Sequence, residues 1–504
     1  MERMDLYTAV THFAALTHPF SEADLDQNWQ WRAHNEGIRF AFLGTIQELR
    51  ELAAQLGQQR QAGGSPISVA QRVLGQYVAA YRDFQAVMLG VSQSDYDQEP
   101  AVAEWPLRLV VGHMFRAQAA FFTLVHYGLA RQRTEEERPS RLPPGETDRV
   151  VMPQAEFVDL LENQSMAAML AAFDALHQRT LAEFAAMTDE ESLGPSVWWE
   201  DEPYSLAYRL HRFDAHLRQH TIQAEKTLEQ IGRPAGEAKK LLRLMYAALA
   251  EVETAVLGAP DLGLTTQQTL AESILARATE VVQVVADYRA MSTAVTQANR
   301  QEVEALLTAN PNLANALTPQ RLPVLFAALY NGETDLANRL VAAGAELDVF
   351  SATAVGRLDV VEKEFADYPQ AINLYSRDGF TPLQFACFFG QEATALWLMD
   401  HGADIQAAAK NPLRIQPIHA AAANGSMTVL RALLERGADA NARQQQDFTP
   451  MHTAVDRDDV AMAKLLLAFG ADAHAENSEH ETPLALAKTR GKQQMADFLE
   501  TIKP

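Results

Sequence analysis

The sequence predicts an all-α protein in two parts, a helical bundle region over residues 1–292 and a solenoid of helix pairs over residues 293–504. Two observations support this fold class. Apolar residues recur at three- and four-residue spacing through most of the first 290 residues, without the alternation of a strand. Beyond about residue 290, a proline-containing motif returns every 33 to 35 residues, which is the period of a repeat protein.

The composition narrows the functional classes. The chain has 504 residues, of which 48% are hydrophobic and 21% charged, as in globular proteins of more than one domain. A net charge of -23 argues against nucleic acid and anionic membranes as partners. We expect no signal peptide and no transmembrane segment. With Cys387 as the single cysteine, no disulfide forms within the chain, and we expect a cytoplasmic protein.

The first region is predicted to be a succession of helices. Their approximate bounds are 37–56, 68–89, 105–130, 154–187, 205–231, 237–256 and 265–289. The helix over 205–231 ends at Gly232 and Pro234, which are typical residues for a helix stop. We find no strand pattern and no glycine-rich phosphate loop in this region.

Two segments interrupt the helices. Residues 131–149 are polar and contain Pro143, Pro144 and Gly145, which indicates either a solvated surface loop or a mobile flap. The adjacent Trp198 and Trp199 could wall a pocket, although aromatic residues more commonly serve ordinary packing.

The helix over 205–231 carries the strongest candidate for chemistry. His216 and His220 are four residues apart, so both imidazoles lie on one face and can share a ligand. His220 falls within the apolar stripe of this helix, His216 lies on its flank and His211 points away. Taken alone, the pair could equally be two surface or core residues.

The second region contains four copies of a short motif. The copies are Thr381-Pro382-Leu383-Gln384-Phe385-Ala386, Gln416-Pro417-Ile418-His419-Ala420-Ala421, Thr449-Pro450-Met451-His452-Thr453-Ala454 and Thr482-Pro483-Leu484-Ala485-Leu486-Ala487. A threonine followed by proline at the first helical position begins a helix. Gly402, Gly437 and Gly470 can adopt the left-handed backbone conformation that ends a second helix. The motif resembles the ankyrin repeat.

The resemblance to ankyrin repeats implies roughly seven units, with capping units at the ends. The earlier units, over 302–315, 322–345 and 351–373, lack the full motif. Ankyrin arrays usually bind a protein partner through their concave face and turn tips, here residues 406–413, 443–447 and 477–481. The alternative is that the array only stabilises or orients the first region. His419 and His452 occupy the repeat's own histidine position and are predicted to be structural.

A tryptophan-to-histidine segment supplies a third candidate residue. Trp105 precedes His113 by eight residues on the helix over 105–130. Together with His216 and His220, this segment resembles the DinB-like (damage-inducible) family. The resemblance implies a four-helix bundle over about 36–232, with added helices over 235–290, in which His113, His216 and His220 bind a divalent metal, zinc or nickel.

The same resemblance implies either a thiol-dependent transferase or a metal-dependent hydrolase acting on a small molecule or thiol. Three neutral imidazoles leave an open position on a zinc-like ion, where water or a thiolate can bind. The sequence identifies no general base and no carboxylate that orients the ligands, so the catalytic residues are unknown. The competing hypothesis is a non-enzymatic adaptor that acts through the ankyrin repeats alone.

Overall fold

The computed structural model describes residues 5–31, 34–100, 104–135, 141–196 and 204–502. By its internal contacts the chain divides into two compact units. The first comprises Met1–Arg289 with Pro319–Arg321, and the second comprises Ala290–Thr318 with Leu322–Pro504.

Helices and one hairpin make up the regular structure of the first part of the chain. The elements are α1 Leu6–Thr17, α2 Glu22–Leu25, β1 Asn28–Trp31, β2 His34–Gly37, α3 Arg39–Ala62, α4 Val69–Met88, α5 Gln93–Asp97, α6 Leu107–Arg133, α7 Glu146–Val150, α8 Gln154–Glu162, α9 Met166–Phe184, α10 Asp189–Leu193, α11 Leu206–Gln230, α12 Glu237–Val256 and α13 Leu264–Thr296. The prediction of a predominantly helical chain is confirmed.

The first unit has two hydrophobic cores. In one, α4, α6, α9 and α11 pack as a four-helix bundle around rings such as Tyr81, Phe122, Phe173 and Phe213. In the other, residues of α1, the hairpin, α3, α12 and α13 pack together. The resemblance implied a bundle beginning near residue 36, which would include α3. In the structure, α3 packs instead against α12 in the second core.

Two details of the predicted secondary structure are wrong. Strands β1 and β2 pair antiparallel, with Asn28 opposite Gly37, although we expected no strand. The alternation spans only four residues, with Trp29 buried, and is too short to stand out in the sequence. The single helix predicted over 154–187 is two helices, because Ser165 caps a new helix by accepting a hydrogen bond from the Ala168 N–H.

The second part of the chain is a succession of short helices. They are α14 Arg300–Ala309, α15 Val324–Tyr330, α16 Thr334–Ala342, α17 Val349–Ala354, α18 Leu358–Asp367, α19 Pro382–Phe388, α20 Glu392–Asp400, α21 Pro417–Asn424, α22 Met427–Glu435, α23 Pro450–Asp456, α24 Val460–Ala468, α25 Pro483–Thr489 and α26 Gln493–Glu500. From α15 onward they contact one another in successive pairs, and each pair contacts the next, as in a solenoid.

The predicted start and stop signals of the repeats are confirmed. Proline occupies the first turn of α19, α21, α23 and α25, after a threonine or glutamine cap. Gly402, Gly437 and Gly470 have φ near +90°, where a Cβ would be strained. None of the helices in the described residues has the length and apolarity required to cross a bilayer.

Candidate metal centre and repeat groove

Helices α6 and α11 pack side by side in the four-helix bundle and carry the three predicted histidines. Pro106 begins α6, which places His113 in its second turn. Ser205 caps α11 by accepting a hydrogen bond from the Tyr208 N–H, and one continuous helix then carries His216 and His220 on the same face.

The structure brings His113, His216 and His220 together. One ring nitrogen from each histidine lies within 4.8 Å of the other two. The Nε2 atoms of His113 and His216 are 3.2 Å apart. His113 is exposed, His216 is half-buried and His220 is buried, so the cluster opens to solvent on the α6 side.

This spacing fits a tetrahedral metal ion. Metal–nitrogen bonds of about 2.0–2.1 Å place two ligand nitrogens about 3.3 Å apart around such an ion. The observed 3.2 Å between His113 and His216 is close to this value. The nitrogen of His220 lies within 4.8 Å of both.

A neighbouring amide orients one of the ligands. The Nδ1 of His220 lies 2.7 Å from the Oε1 of Gln223, one turn further along α11. Because an amide oxygen only accepts hydrogen bonds, Nδ1 of His220 carries the proton and Nε2 keeps its lone pair. Hydrogen bonds of this kind fix the tautomer of metal-binding histidines. Gln223 was not among the predicted site residues, although its three-residue spacing from His220 was a usable signal.

Burial favours the neutral form of two of the three rings. Desolvation, followed by the charges of His220, His113 and Arg212, lowers the pKa of His216 to about 4. Desolvation and then the charge of His220 also lower the pKa of His113. The Nδ1 of His216 is buried and has no hydrogen-bond partner among the described residues. Neutral imidazoles are the form that binds metal, so burial reduces competition from protons at His113 and His216.

Aromatic rings hold two of the histidines in place. The Trp105 ring meets His113 edge-on at 5.6 Å, and the Phe121 ring meets His216 at 5.5 Å. The Trp105 carbonyl accepts a hydrogen bond from Thr227 of α11 at 3.5 Å. The tryptophan of the sequence motif therefore lies beside the histidine cluster and contacts α11.

The cluster contains no carboxylate among the described residues. A divalent ion held by three neutral imidazoles keeps its full charge, which favours an anion such as hydroxide or thiolate in the open position. The guanidinium of Arg212, over the Phe121 ring at 5.7 Å, adds positive charge on the same side.

Three further histidines of the first unit have other surroundings. His211 is exposed, as predicted, and His126 pairs with Glu183. His177 is fully buried and stacks on Tyr81 at a ring distance of 3.9 Å.

Two predicted features fall partly or wholly outside the described residues. Trp198 and Trp199 lie there, as do residues 136–140 of the segment 131–149. The remainder of that segment is more regular than expected. It contains the last turn of α6 and most of α7, which packs on α6.

His419 and His452 of the repeat motif are structural, as predicted. His419 accepts a hydrogen bond from the Gln416 N–H at its Nδ1, 3.1 Å away, and its Nε2 donates to the Ala442 carbonyl at 2.9 Å. His452 contacts Thr449 and the Glu481 carbonyl in the same way. Burial raises the pKa of the Cys387 thiol, which leaves it unreactive.

The second unit contains an apolar groove, a cavity of about 580 Å³ across several repeats. Phe385 stands at a motif position where the next repeat has the small Ala420, and the difference in size opens the hollow. Phe388 and Leu413 on its wall are 43% and 41% exposed. Among the described residues that line the groove, Asp378 alone is charged, and it accepts a hydrogen bond from Tyr330 at 2.6 Å.

Comparison with known proteins identifies both units. Residues 76–224 match the DinB superfamily, and residues 291–409 and 415–502 match ankyrin repeats. A stretch of 154 residues is 29% identical to the "Putative ankyrin repeat protein FPV014" of Fowlpox virus (strain NVSL), covering 28% of this chain. The chain spans about a third (34%) of the length of that relative. A region of the first unit is thus similar to the DinB superfamily, and most of the second unit is similar to ankyrin repeats.

Proposed function

We propose that the chain is a divalent-metal-binding protein whose ankyrin repeats attach it to a protein partner. The convergence of His113, His216 and His220 on one point supports the metal site. Zinc and nickel are the ions that suit a set of imidazole ligands without carboxylates.

The chemistry at this site depends on the coordination position of the ion that the three histidines leave open. A bound divalent ion supplies Lewis acidity there, lowering the pKa of water to about 7 or holding a thiolate. Gln223 keeps the lone pair of His220 directed at the site, and Arg212 favours an anionic substrate group. We infer a thiol-dependent transferase or a metal-dependent hydrolase, with Trp105 and Phe121 flanking the approach.

Elemental analysis tests the metal site directly. Protein purified without a metal-affinity tag and incubated with zinc or nickel should contain about one equivalent of metal. His216→Ala/His220→Ala should contain almost none. His211→Ala is the matched control, since His211 is an exposed histidine of the same helix. Less than about a tenth of an equivalent in the unsubstituted protein rejects the proposal.

Metal removal separates a catalytic from a structural ion. The bundle has its own apolar core of four long helices, so we expect it to remain folded after chelation. Loss of helical circular dichroism on chelation would instead assign the ion a structural role and favour the adaptor hypothesis.

The groove of the second unit favours protein binding as the second function. An apolar hollow with one carboxylate at its edge fits a peptide segment that presents a bulky apolar side chain beside an arginine or lysine. The overall acidity of the chain favours the same basic segment.

Selection of displayed peptides on the full chain tests this partner. We expect enrichment of bulky apolar residues next to basic ones, and loss of binding in Phe388→Asp. Phe469→Asp is the matched control, because Phe469 has a similar exposure of 39% and does not line the groove. Failure to enrich any peptide, or equal binding by Phe388→Asp, contradicts the proposal.

A further inference from the structure

A polar cavity lies in the first unit, and none of the three clustered histidines lines it. It has a volume of about 200 Å³. Its walls come from the end of α1, the turn after α4 and the turn that leads into α12. The side chains that matter here are His18, Asp95, Arg233 and Lys239.

Asp95, the acidic residue of this cavity, already has hydrogen-bond and ion-pair partners. Asp95 accepts hydrogen bonds from the Ser92 hydroxyl at 2.7 Å and from the Ser92 N–H at 3.0 Å. Its other oxygen lies 2.9 Å from the Nε of Arg233. The carboxylate therefore has little capacity left to balance a further positive charge.

Lys239 is the cation without a direct partner. Among the described residues it forms no hydrogen bond and no salt bridge, although it is only partly exposed. Burial lowers the pKa of this lysine, and the charge of Asp95 raises it only in part. An ammonium group in this position loses hydration without gaining an anion.

His18 and the start of α12 add hydrogen-bond donors on the same cavity. The His18 ring packs so closely on Gly90 that a Cβ at that position would lie 2.5 Å from Cε1. Gly236, at the cap of α12, offers no side chain to accept from the first-turn amides. Glu237 of that turn is engaged by Arg39 instead.

We propose that this cavity binds a small tetrahedral oxyanion, either free phosphate or the phosphoryl group of a metabolite, with Lys239 as its principal contact. The cavity is large enough for a phosphoryl group with a few further atoms. The negative charge of such a group supplies the anionic partner that Lys239 lacks. The positive cavity stands out in a chain of net charge -23.

Isothermal titration of the full chain with inorganic phosphate tests the proposal at constant ionic strength. The unsubstituted protein should bind with saturation below about 10 mM. Lys239→Glu and the milder Lys239→Gln should each weaken binding at least about tenfold. Lys240→Glu is the matched control, since Lys240 is the adjacent lysine and does not line this cavity.

Two further results complete the test. His216→Ala/His220→Ala must retain phosphate binding, because phosphate bound at a metal ion would disappear with that variant. A synthetic phosphorylated sugar in place of phosphate distinguishes a metabolite from the free ion. No saturable binding by the unsubstituted protein, or equal affinity in Lys239→Gln and Lys240→Glu, overturns the proposal.

Discussion

Histidine has opposite roles in the two units of this chain. In the bundle, His113, His216 and His220 direct ring nitrogens at one another and leave lone pairs available to a ligand. In the repeats, His419 uses both ring nitrogens on backbone groups of its own and the adjacent segment. The partners of the ring, rather than the residue type, therefore decide whether a histidine nitrogen remains available to a ligand.

The local sequence explains the difference. His419 and His452 lie at the third position of helices that begin with proline, where a side chain can reach back to the cap. His216 and His220 lie in the middle of α11, where the backbone groups are already paired within the helix. Their rings must therefore find partners outside their own backbone.

The largest effect we predict is on the stability of the repeats. His419→Ala removes the partner of the half-buried Gln416 N–H and of the buried Ala442 carbonyl, and also creates a cavity. Together these should lower the free energy of unfolding by about 2–4 kcal/mol. Urea unfolding of the full chain, followed by circular dichroism, measures the change. By contrast, His216→Ala should cost less than about 1 kcal/mol in metal-free protein, since Nδ1 of His216 has no partner to lose.

A second effect concerns the orientation of the metal ligand. Gln223→Leu removes the acceptor that fixes the tautomer of His220, and we expect zinc affinity to fall by about 10- to 100-fold. Gln223→Glu retains an acceptor and should bind zinc at least as well as the unsubstituted protein. Competition against a fluorescent zinc chelator measures both. Equal affinity in Gln223→Leu would show that this hydrogen bond does not orient the ligand.

A smaller effect is the acid sensitivity of the bundle core, which is independent of metal. Burial holds the pKa of His177 well below 6.5, so this ring stays neutral in the folded protein while it protonates in the unfolded chain. The neutral His177 ring therefore contributes to the free energy of unfolding above the pKa that histidine has in the unfolded chain. Below about pH 6.5 this contribution falls by about 1.4 kcal/mol per pH unit. In His177→Phe this contribution should vanish. Unfolding of both proteins at pH 7.5 and 5.5 measures it, and parallel losses would contradict the assignment.

The architecture of both units could be predicted because its signals are local. Proline at the first turn and glycine at the stop specify each repeat, while the apolar period specifies the long helices. The three histidines were found because one pair shares a helix face and Trp105 marks the third. The partition of α3 into a separate core was not predictable, since that depends on which helix it packs against.

Features that arise between distant segments were also missed. The hairpin at Asn28–Trp31 depends on packing of Trp29 against other elements. The groove requires Phe385 and Ala420 to become neighbours in adjacent repeats. The cavity around Lys239 joins residues that are more than two hundred positions apart in the chain. Such contacts leave no regular residue spacing in the sequence from which they could be predicted.

Replacement of histidine by glutamine tests the contrast between the two units most directly. Gln384 already occupies the position of His419 in the preceding repeat and donates to the Ala407 and Ile415 carbonyls. His419→Gln should therefore fold normally and bind one zinc ion with unchanged affinity in a calorimetric titration. His220→Gln should fold equally well but lose zinc binding, because a neutral amide is a poor substitute for imidazole as a zinc ligand. Retention of full zinc affinity by His220→Gln would contradict the assignment of the metal centre.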